Sequence, residues 1–147
     1  ADGSWTPSTL KLLTSDDQIS KIKGLGYNGV CLDVEEGTGE PSDFDAVFKA
    51  LKGAGLQVMV TTSHFAPYGF SNKAALVSDW ISNPNIDILS PQLYTSGSET
   101  TNSWEGDFQQ YKNCKAKLAP SIVEASMFSD VKSHLPNAVG YFQWKQV

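Results

Sequence analysis

The chain has 147 residues, of which 40% are hydrophobic and 18% charged, a composition typical of one globular domain over 1–147 and unlike that of a disordered protein. Its net charge is −5 and all 11 basic residues are Lys, so the lack of Arg on an acidic chain argues against a nucleic-acid partner. Its apolar runs are strand-sized, well short of the roughly 18 residues of a membrane span, so we also expect no membrane partner.

Apolar strand-like runs alternate along the chain with amphipathic stretches of helical period. In chain order we predict a helix over 15–24, a strand over 29–34, a helix over 42–53, a strand over 56–62, a helix over 71–82, a strand over 86–94, a helix over 104–118, a strand over 119–123, a helix over 129–134 and a strand over 138–144. A sixth strand is predicted over 9–13.

This alternation predicts right-handed βαβ units and an α/β fold with a parallel sheet. An open doubly wound sheet and a β/α barrel both fit, but the glycine-rich nucleotide fingerprints of the open sheet are missing from the sequence. Polar and aromatic residues follow the strands instead, where a TIM barrel carries its active site. Since a complete barrel needs at least about 200 residues, we predict a small, incomplete parallel β/α barrel, related to the TIM barrel, with five or six strands.

Two carboxyl groups lie at the end of the first predicted strand. Side chains alternate along a strand, so Asp33 and Glu35 share one face while Leu32 and Val34 pack on the other. Neighbouring buried carboxyls disfavour each other's charge, which can keep one of them protonated near neutral pH. A protonated Glu beside an ionised Asp is typical of glycoside hydrolysis.

Three segments, in order, resemble glycoside hydrolase family 18, the chitinases and chitinase-like lectins. NGVCLDVE over 28–35 is similar to the family's D-x-x-D-x-D-x-E strand, IDILSPQLY over 86–94 to its strand ending in Q-x-Y, and GYFQW over 140–144 to its last barrel strand. The resemblance covers 26–144. It implies that early strands and a closing helix of the barrel are missing, so that open edges are left through which a homo-oligomer could form.

The resemblance further implies a substrate-assisted mechanism on N-acetylglucosamine glycans such as chitin, with no cofactor. Glu35 would be the general acid. Asp33 would orient and stabilise the substrate's acetamido group, which attacks the anomeric carbon. Tyr94 would help to hold that group, with Gln92 beside it, and Trp144 would form the floor of the sugar site.

Two acids of the family motif are replaced here, by Asn28 and Cys31. Those acids tune the charge on Asp33, so catalysis could be slow or absent without them. The alternative to the enzyme is therefore a chitinase-like lectin or defence protein that binds the same glycans without cleaving them. A muramidase barrel, which also uses a D-x-E strand, and a defence or toxin protein on an inert barrel are further interpretations.

The remaining candidate residues lie in predicted loops and helices. Trp104 and Tyr68 flank polar loops, and their rings are predicted to contact the glycan. Trp80 lies on an apolar helical stripe and is predicted to be core, whereas His64 is predicted to be an ordinary loop histidine. No metal site is predicted, because no His or further acid is in register with the two strand carboxyls.

The compartment is inferred from the first residues. The chain opens on Ala1 without an initiator Met, as it would after removal of a secretory signal or pro-segment, or as an excised fragment. We expect a secreted protein. Cys31 should face the inside of the barrel and Cys114 lies on a predicted outer helix, so we expect both thiols to be free.

Overall fold

The computed structural model describes residues 4–146, which form five α-helices, two short 3₁₀ helices and six strands. The helices are α1 (Pro7–Leu12), α2 (Asp16–Gly24), α3 (Pro41–Gly53), α4 (Lys73–Ser82) and α5 (Phe128–His134). The strands are β1 (Gly29–Val34), β2 (Gln57–Thr62), β3 (Ile88–Pro91), β4 (Lys117–Leu118), β5 (Ser121–Ile122) and β6 (Phe142–Gln143). Among these helices, none is long and apolar enough to cross a membrane.

Every pairing between these strands is parallel, as the alternation of strands and helices predicts. β1 to β4 form one sheet in chain order, and β5 and β6 form a second. A bridge between Gln92 and Ser121 links the chain after β3 to β5. Within residues 4–146, β1 and β6 do not pair with each other, so the fold is an α/β arrangement of open parallel sheets.

Short-range capping explains where the early helices begin. Ser15 caps α2, because its hydroxyl accepts a hydrogen bond from the Gln18 amide at 3.3 Å. At α3 the Glu40 amide donates to Asp43 Oδ2 at 2.8 Å, and Pro41 supplies a helical φ at the first position. The buried stripe of α3 is the predicted one: Phe44, Val47, Phe48 and Leu51.

The sheet buries one face beneath the helices. In β1, Leu32 and Val34 are fully buried, while Cys31 and Asp33 on the opposite face are exposed, which confirms the predicted alternation. On the helical side, Trp80 of α4 is fully buried, and its ring lies 5.5 Å from that of Phe44 in α3, centroid to centroid. The core therefore lies between the sheet and α3 and α4, and the polar face of β1 is open.

The carboxyl end of β1 is covered by the segment before α1. The Trp5 amide donates to the Glu36 carbonyl at 3.0 Å, and the Trp5 indole N–H donates to the Asp33 carbonyl at 2.7 Å. This contact satisfies backbone groups that an edge strand would otherwise leave unpaired. Self-association along the rest of the edge stays a prediction.

The strand predicted over 9–13 is wrong, because residues 9–12 belong to α1 and Leu13 is its C-cap. The hydroxyl of Thr6 accepts from the Thr9 amide at 3.2 Å, and Pro7 follows at the first helical position. Together these groups form a helix start. Leu10 then packs into the core as part of this helix.

The helix predicted over 104–118 is also wrong. Only a short 3₁₀ turn, Gln109–Asn113, forms there, followed by β4. Gly106 has a φ of +98°, which a right-handed helix does not allow. Tyr111 is fully buried and its hydroxyl donates to the Phe65 carbonyl at 2.5 Å, so this segment is held by tertiary contacts.

The last predicted strands are shorter than expected. The strand predicted over 119–123 is reduced to β5, and β4 lies just before the predicted range. Pro120, between β4 and β5, has no amide hydrogen to donate to a ladder. The strand predicted over 138–144 is reduced to β6, although the Val139 amide still bonds to the Leu118 carbonyl at 2.8 Å. The segment therefore follows β4 and β5 as predicted, with fewer ladder bonds.

Candidate functional site

The predicted site residues converge at one end of the parallel sheet. Glu35 follows β1, Gln92 and Tyr94 follow β3, and Trp144 follows β6. Because all these strands run in the same direction, their carboxyl ends lie at one edge of the sheet. We call Asp33, Glu35, Gln92, Tyr94 and Trp144 together the Glu35 site.

The backbone around Glu35 is fixed on two sides. Its carbonyl accepts from the Gly69 amide at 2.9 Å, and Glu36 bridges to Gly69 as a short parallel pair. A Cβ placed on Gly69 would lie 2.8 Å from the Glu36 Cα, so only glycine fits this approach. With Trp5 on the opposite side of Glu36, the turn after β1 holds the Glu35 side chain in a defined direction.

The two carboxyls of the site have pKa values above their ordinary range. Asp33 lies on the open face of β1, but the surrounding protein partly shields its carboxyl from water, and this desolvation raises its pKa. Burial also raises the pKa of Glu35, and the charge of Asp33 raises it further, whereas a side-chain hydrogen bond from Gln92 lowers it. Both carboxyls of the site therefore ionise less readily than an ordinary Asp or Glu.

Tyr94 lies between the carboxyls and an exposed aromatic ring. Burial, together with the charges of Asp33, Glu35 and Glu99, raises the pKa of Tyr94 to about 12, so the phenol keeps its proton near neutral pH. Its ring centroid lies 5.8 Å from that of Trp144, with an angle of 34° between the planes. Trp144 remains 59% exposed, which leaves an aromatic surface open beside a hydroxyl donor.

A tight turn over residues 95–99, which we call the 95–99 loop, packs against Trp144. The Glu99 carboxylate accepts from the amides of Thr95, Ser96 and Gly97 at 2.8, 2.7 and 2.8 Å. These backbone donors lower the pKa of Glu99 to about 2, so it stays ionised. A Cβ on Gly97 would lie 2.1 Å from Trp144 Nε1, which means that the loop backbone rests directly on the indole.

A row of small polar residues crosses the sheet beside Asp33. Asp33 is in register with Thr61, and Thr61 with Ser90. The hydroxyls of Ser90 and Ser121 are 2.8 Å apart, and both residues are buried. These small residues lie within or next to the strands, whereas the larger side chains Glu35, Gln92, Tyr94 and Trp144 follow the strand ends.

Cys31 shares the face of Asp33 but is poorly suited to nucleophilic chemistry. Although Cys31 lies on the open face of the strand, partial shielding of its thiol from water, and then the charge of Asp33, raise its pKa. A thiol needs a lowered pKa to react as a thiolate near neutral pH. Cys31 and Cys114 are both free.

Tyr68 and Trp104, also predicted to contact ligand, have different surroundings. The hydroxyl of Tyr68 donates to the Glu36 carboxylate, and its ring is 56% exposed, so Tyr68 lies on the rim next to Glu35. Trp104 belongs to a separate aromatic cluster. Its indole stacks on His134 at a centroid distance of 4.0 Å and donates from Nε1 to Asp130 at 2.8 Å. Trp104 is therefore already in contact with two side chains of its own chain, His134 and Asp130.

Sequence reasoning missed the 95–99 loop and the conformation of His64. The signals were weak: a Ser-Gly-Ser turn after the β3 segment, and a Ser-His pair after β2. In the structure His64 Nε2 lies 3.1 Å from Thr95 Oγ1, and the His64 backbone has a φ of +41°. His64 therefore contacts the residue that follows Tyr94, and the 95–99 loop contacts Trp144.

The Glu35 site combines two neighbouring carboxyl groups, a phenol that keeps its proton near neutral pH and an open aromatic ring. No Lys of the described residues is among the groups that shift the pKa of Asp33, Glu35 or Tyr94. Over residues 4–146 no group of three or more His, Cys, Asp or Glu side chains is arranged to hold a metal ion. No family model matches the chain, and comparisons with curated proteins and with solved structures give no significant match.

Proposed function

We propose that this chain is a small glycoside hydrolase of the family 18 type, which cleaves N-acetylglucosamine glycans such as chitin from an incomplete parallel β/α barrel. The observation that carries the proposal is the meeting of Asp33, Glu35, Tyr94 and Trp144 at one end of the sheet, with both carboxyl pKa values raised. Strand ends of this kind are where barrel enzymes place their catalytic groups.

Glu35 is the general acid of the proposed reaction. Its raised pKa keeps a protonated fraction at higher pH than an ordinary Glu, and the Gln92 side chain lies close enough to the carboxyl to influence its pKa. The proton passes to the glycosidic oxygen as the bond from that oxygen to the anomeric carbon breaks. Proton donation of this kind typically contributes about 10²–10⁴-fold to the rate.

The substrate's own acetamido oxygen forms the new bond to the anomeric carbon, and a positively charged oxazolinium results. Asp33 is the anion that stabilises this charge from two residues away on the same strand face. Tyr94, protonated up to about pH 12, donates a hydrogen bond to the acetamido group. Water then opens the ring and gives a proton back to Glu35, so the anomeric configuration is retained.

Trp144 and the charge of the site favour a neutral glycan. The open face of the indole suits the C–H surface of a pyranose ring. Asp33, Glu35 and Glu99 make the surroundings acidic, with no described Lys acting on the site carboxyls. A glycan that carries carboxylates, such as the muramic acid units of peptidoglycan, is therefore disfavoured relative to chitin.

Cys31 supports a second candidate, a lectin that binds the same glycan without cleaving it. The thiol lies on the face of Asp33, and its raised pKa leaves it neutral, so it cannot supply the second acid of the family motif. Burial also disfavours the anion of Asp33. Both effects weaken charge stabilisation during the reaction and leave sugar binding by Tyr94 and Trp144 intact.

Turnover and binding measured together distinguish the two candidates. Chitooligosaccharides are incubated with wild type, Glu35→Gln, Asp33→Asn and, as a control at an exposed carboxyl outside the site, Glu105→Gln. We expect the first two variants to lose about 10²–10⁴-fold in product release while calorimetric affinity is largely kept. Binding without turnover in wild type would support the lectin, and the absence of both would refute a glycan site.

A further inference from the structure

His64 has an unusual backbone for its position. It follows β2 by two residues and has a φ of +41°, and it is the only non-glycine residue with positive φ among residues 4–146. Left-handed backbone is unfavourable for residues with a Cβ and persists only where the surrounding structure enforces it. Such positions cluster at functional sites.

The loop that carries His64 is anchored on both sides. Ser63 Oγ donates to the Ala66 carbonyl at 3.2 Å and accepts from the Tyr68 amide at 3.1 Å. Phe65 is buried and its carbonyl accepts the Tyr111 hydroxyl. These bonds fix the turn, so the imidazole of His64 is directed toward the loop after β3.

The partner of His64 is Thr95, the residue after Tyr94. His64 Nε2 and Thr95 Oγ1 are 3.1 Å apart. Thr95 begins the 95–99 loop, whose amides are gathered on the Glu99 carboxylate, and Gly97 of this loop rests on the Trp144 indole. One side-chain contact therefore links the β2 loop to the segment that holds both rings of the Glu35 site.

We propose that His64 is a positioning residue, whose hydrogen bond to Thr95 holds the 95–99 loop and thereby the Tyr94 and Trp144 rings in place. The contribution of this bond to catalysis rests on the function proposed above. The effect on Trp144 does not, because the ring position is observable without substrate.

The test uses variants on both sides of the bond. His64→Asn keeps a residue that tolerates left-handed backbone but is too short to reach Thr95. Thr95→Val removes the hydroxyl at nearly constant shape, and Thr95→Ser restores it. The double variant, His64→Asn with Thr95→Val, shows whether the two changes act through one bond.

Two readouts are measured for each variant. The fluorescence of Trp144 is isolated by subtracting the spectrum of the same variant carrying Trp144→Phe, and its quenching by acrylamide is followed. Chitooligosaccharide hydrolysis gives kcat and KM separately. We expect His64→Asn and Thr95→Val each to increase quenching of Trp144 and to lower kcat/KM by about 2–10-fold, the range that one net hydrogen bond supplies. Thr95→Ser should recover most of the loss.

The double variant should be no worse than either single variant. Additive losses, or Trp144 quenching unchanged in both single variants, would overturn the positioning role of His64. If wild type neither binds nor cleaves the glycan, the function proposed above fails. The quenching and its non-additivity then still decide whether His64 holds Trp144.

Discussion

Replacing Gly97 by Ala should damage the Glu35 site by a steric route that the structure allows us to estimate. The new Cβ would lie 2.1 Å from Trp144 Nε1 and 2.4 Å from its Cδ1, far inside ordinary contact, so the indole and the 95–99 loop must move apart, which disturbs the packing of Trp144 on Tyr94. Loss of an aromatic pair costs about 0.5–1.5 kcal/mol. The φ of +81° at Gly97 adds about 1–2 kcal/mol for any residue with a Cβ. Urea unfolding should therefore show a loss of roughly 1.5–3.5 kcal/mol.

Gly106 offers a matched control. Its φ is +98°, so Gly106→Ala carries a similar backbone cost, but the nearest atom to its Cβ would be Phe65 Cδ2 at an ordinary 3.4 Å. Calorimetry should show chitooligosaccharide affinity reduced about 2–10-fold in Gly97→Ala, the equivalent of the lost ring contact, and unchanged in Gly106→Ala. Equal affinity in the two variants would refute the role of the 95–99 loop in seating Trp144.

Three further outcomes follow from burial and charge. The pH profile of kcat/KM should be bell-shaped, because the reaction needs Asp33 ionised and Glu35 protonated. Both limbs should lie above the ordinary carboxyl range, since both pKa values are raised. Limbs at ordinary carboxyl values would contradict this. Glu35→Gln should raise the melting temperature at pH 7, because the native state disfavours the Glu35 anion. Wild type loses stability as pH rises from 4.5 to the raised native pKa of Glu35, whereas Glu35→Gln does not. The difference in melting temperature between the two proteins should therefore vanish below pH 4.5, and a difference that is the same at every pH would contradict a raised pKa at Glu35. Trp80→Ala should cost about 3–5 kcal/mol in urea unfolding and Trp80→Phe clearly less, because Trp80 is fully buried against Phe44; equal losses would contradict a packing role.

Elements with a regular apolar period were predictable from the sequence. The alternation of β1 placed Asp33 and Glu35 on one face, and the stripe of α3 identified its four buried residues. In both cases burial follows from the period of the backbone alone. The parallel order of the strands followed from the alternation of strands and helices, and it brought Glu35 and Tyr94 to the same end.

Features decided by contacts between distant segments were not predictable. The segment over 104–118 was predicted to be a helix, but the Tyr111 hydroxyl is hydrogen-bonded to the Phe65 carbonyl and Gly106 has a positive φ that ends a right-handed helix. The position of Trp144 depends on its packing against Gly97, 47 positions earlier in the sequence. It also depends on the hydrogen bonds from the loop amides to the Glu99 carboxylate. No local pattern encodes such a meeting, because it exists only after the strands have paired.

The proton-donor role of Glu35 is tested most directly by changing how much the leaving group needs a proton. Glu35→Gln and wild type are compared on chitotetraose, whose leaving group is a sugar hydroxyl, and on a chitobioside with a strongly acidic aryl leaving group. We expect the substitution to cost about 10²–10⁴-fold on chitotetraose and far less on the aryl glycoside, which departs without protonation. Equal losses on the two substrates, or no loss on chitotetraose, would contradict the assignment of Glu35 as the general acid.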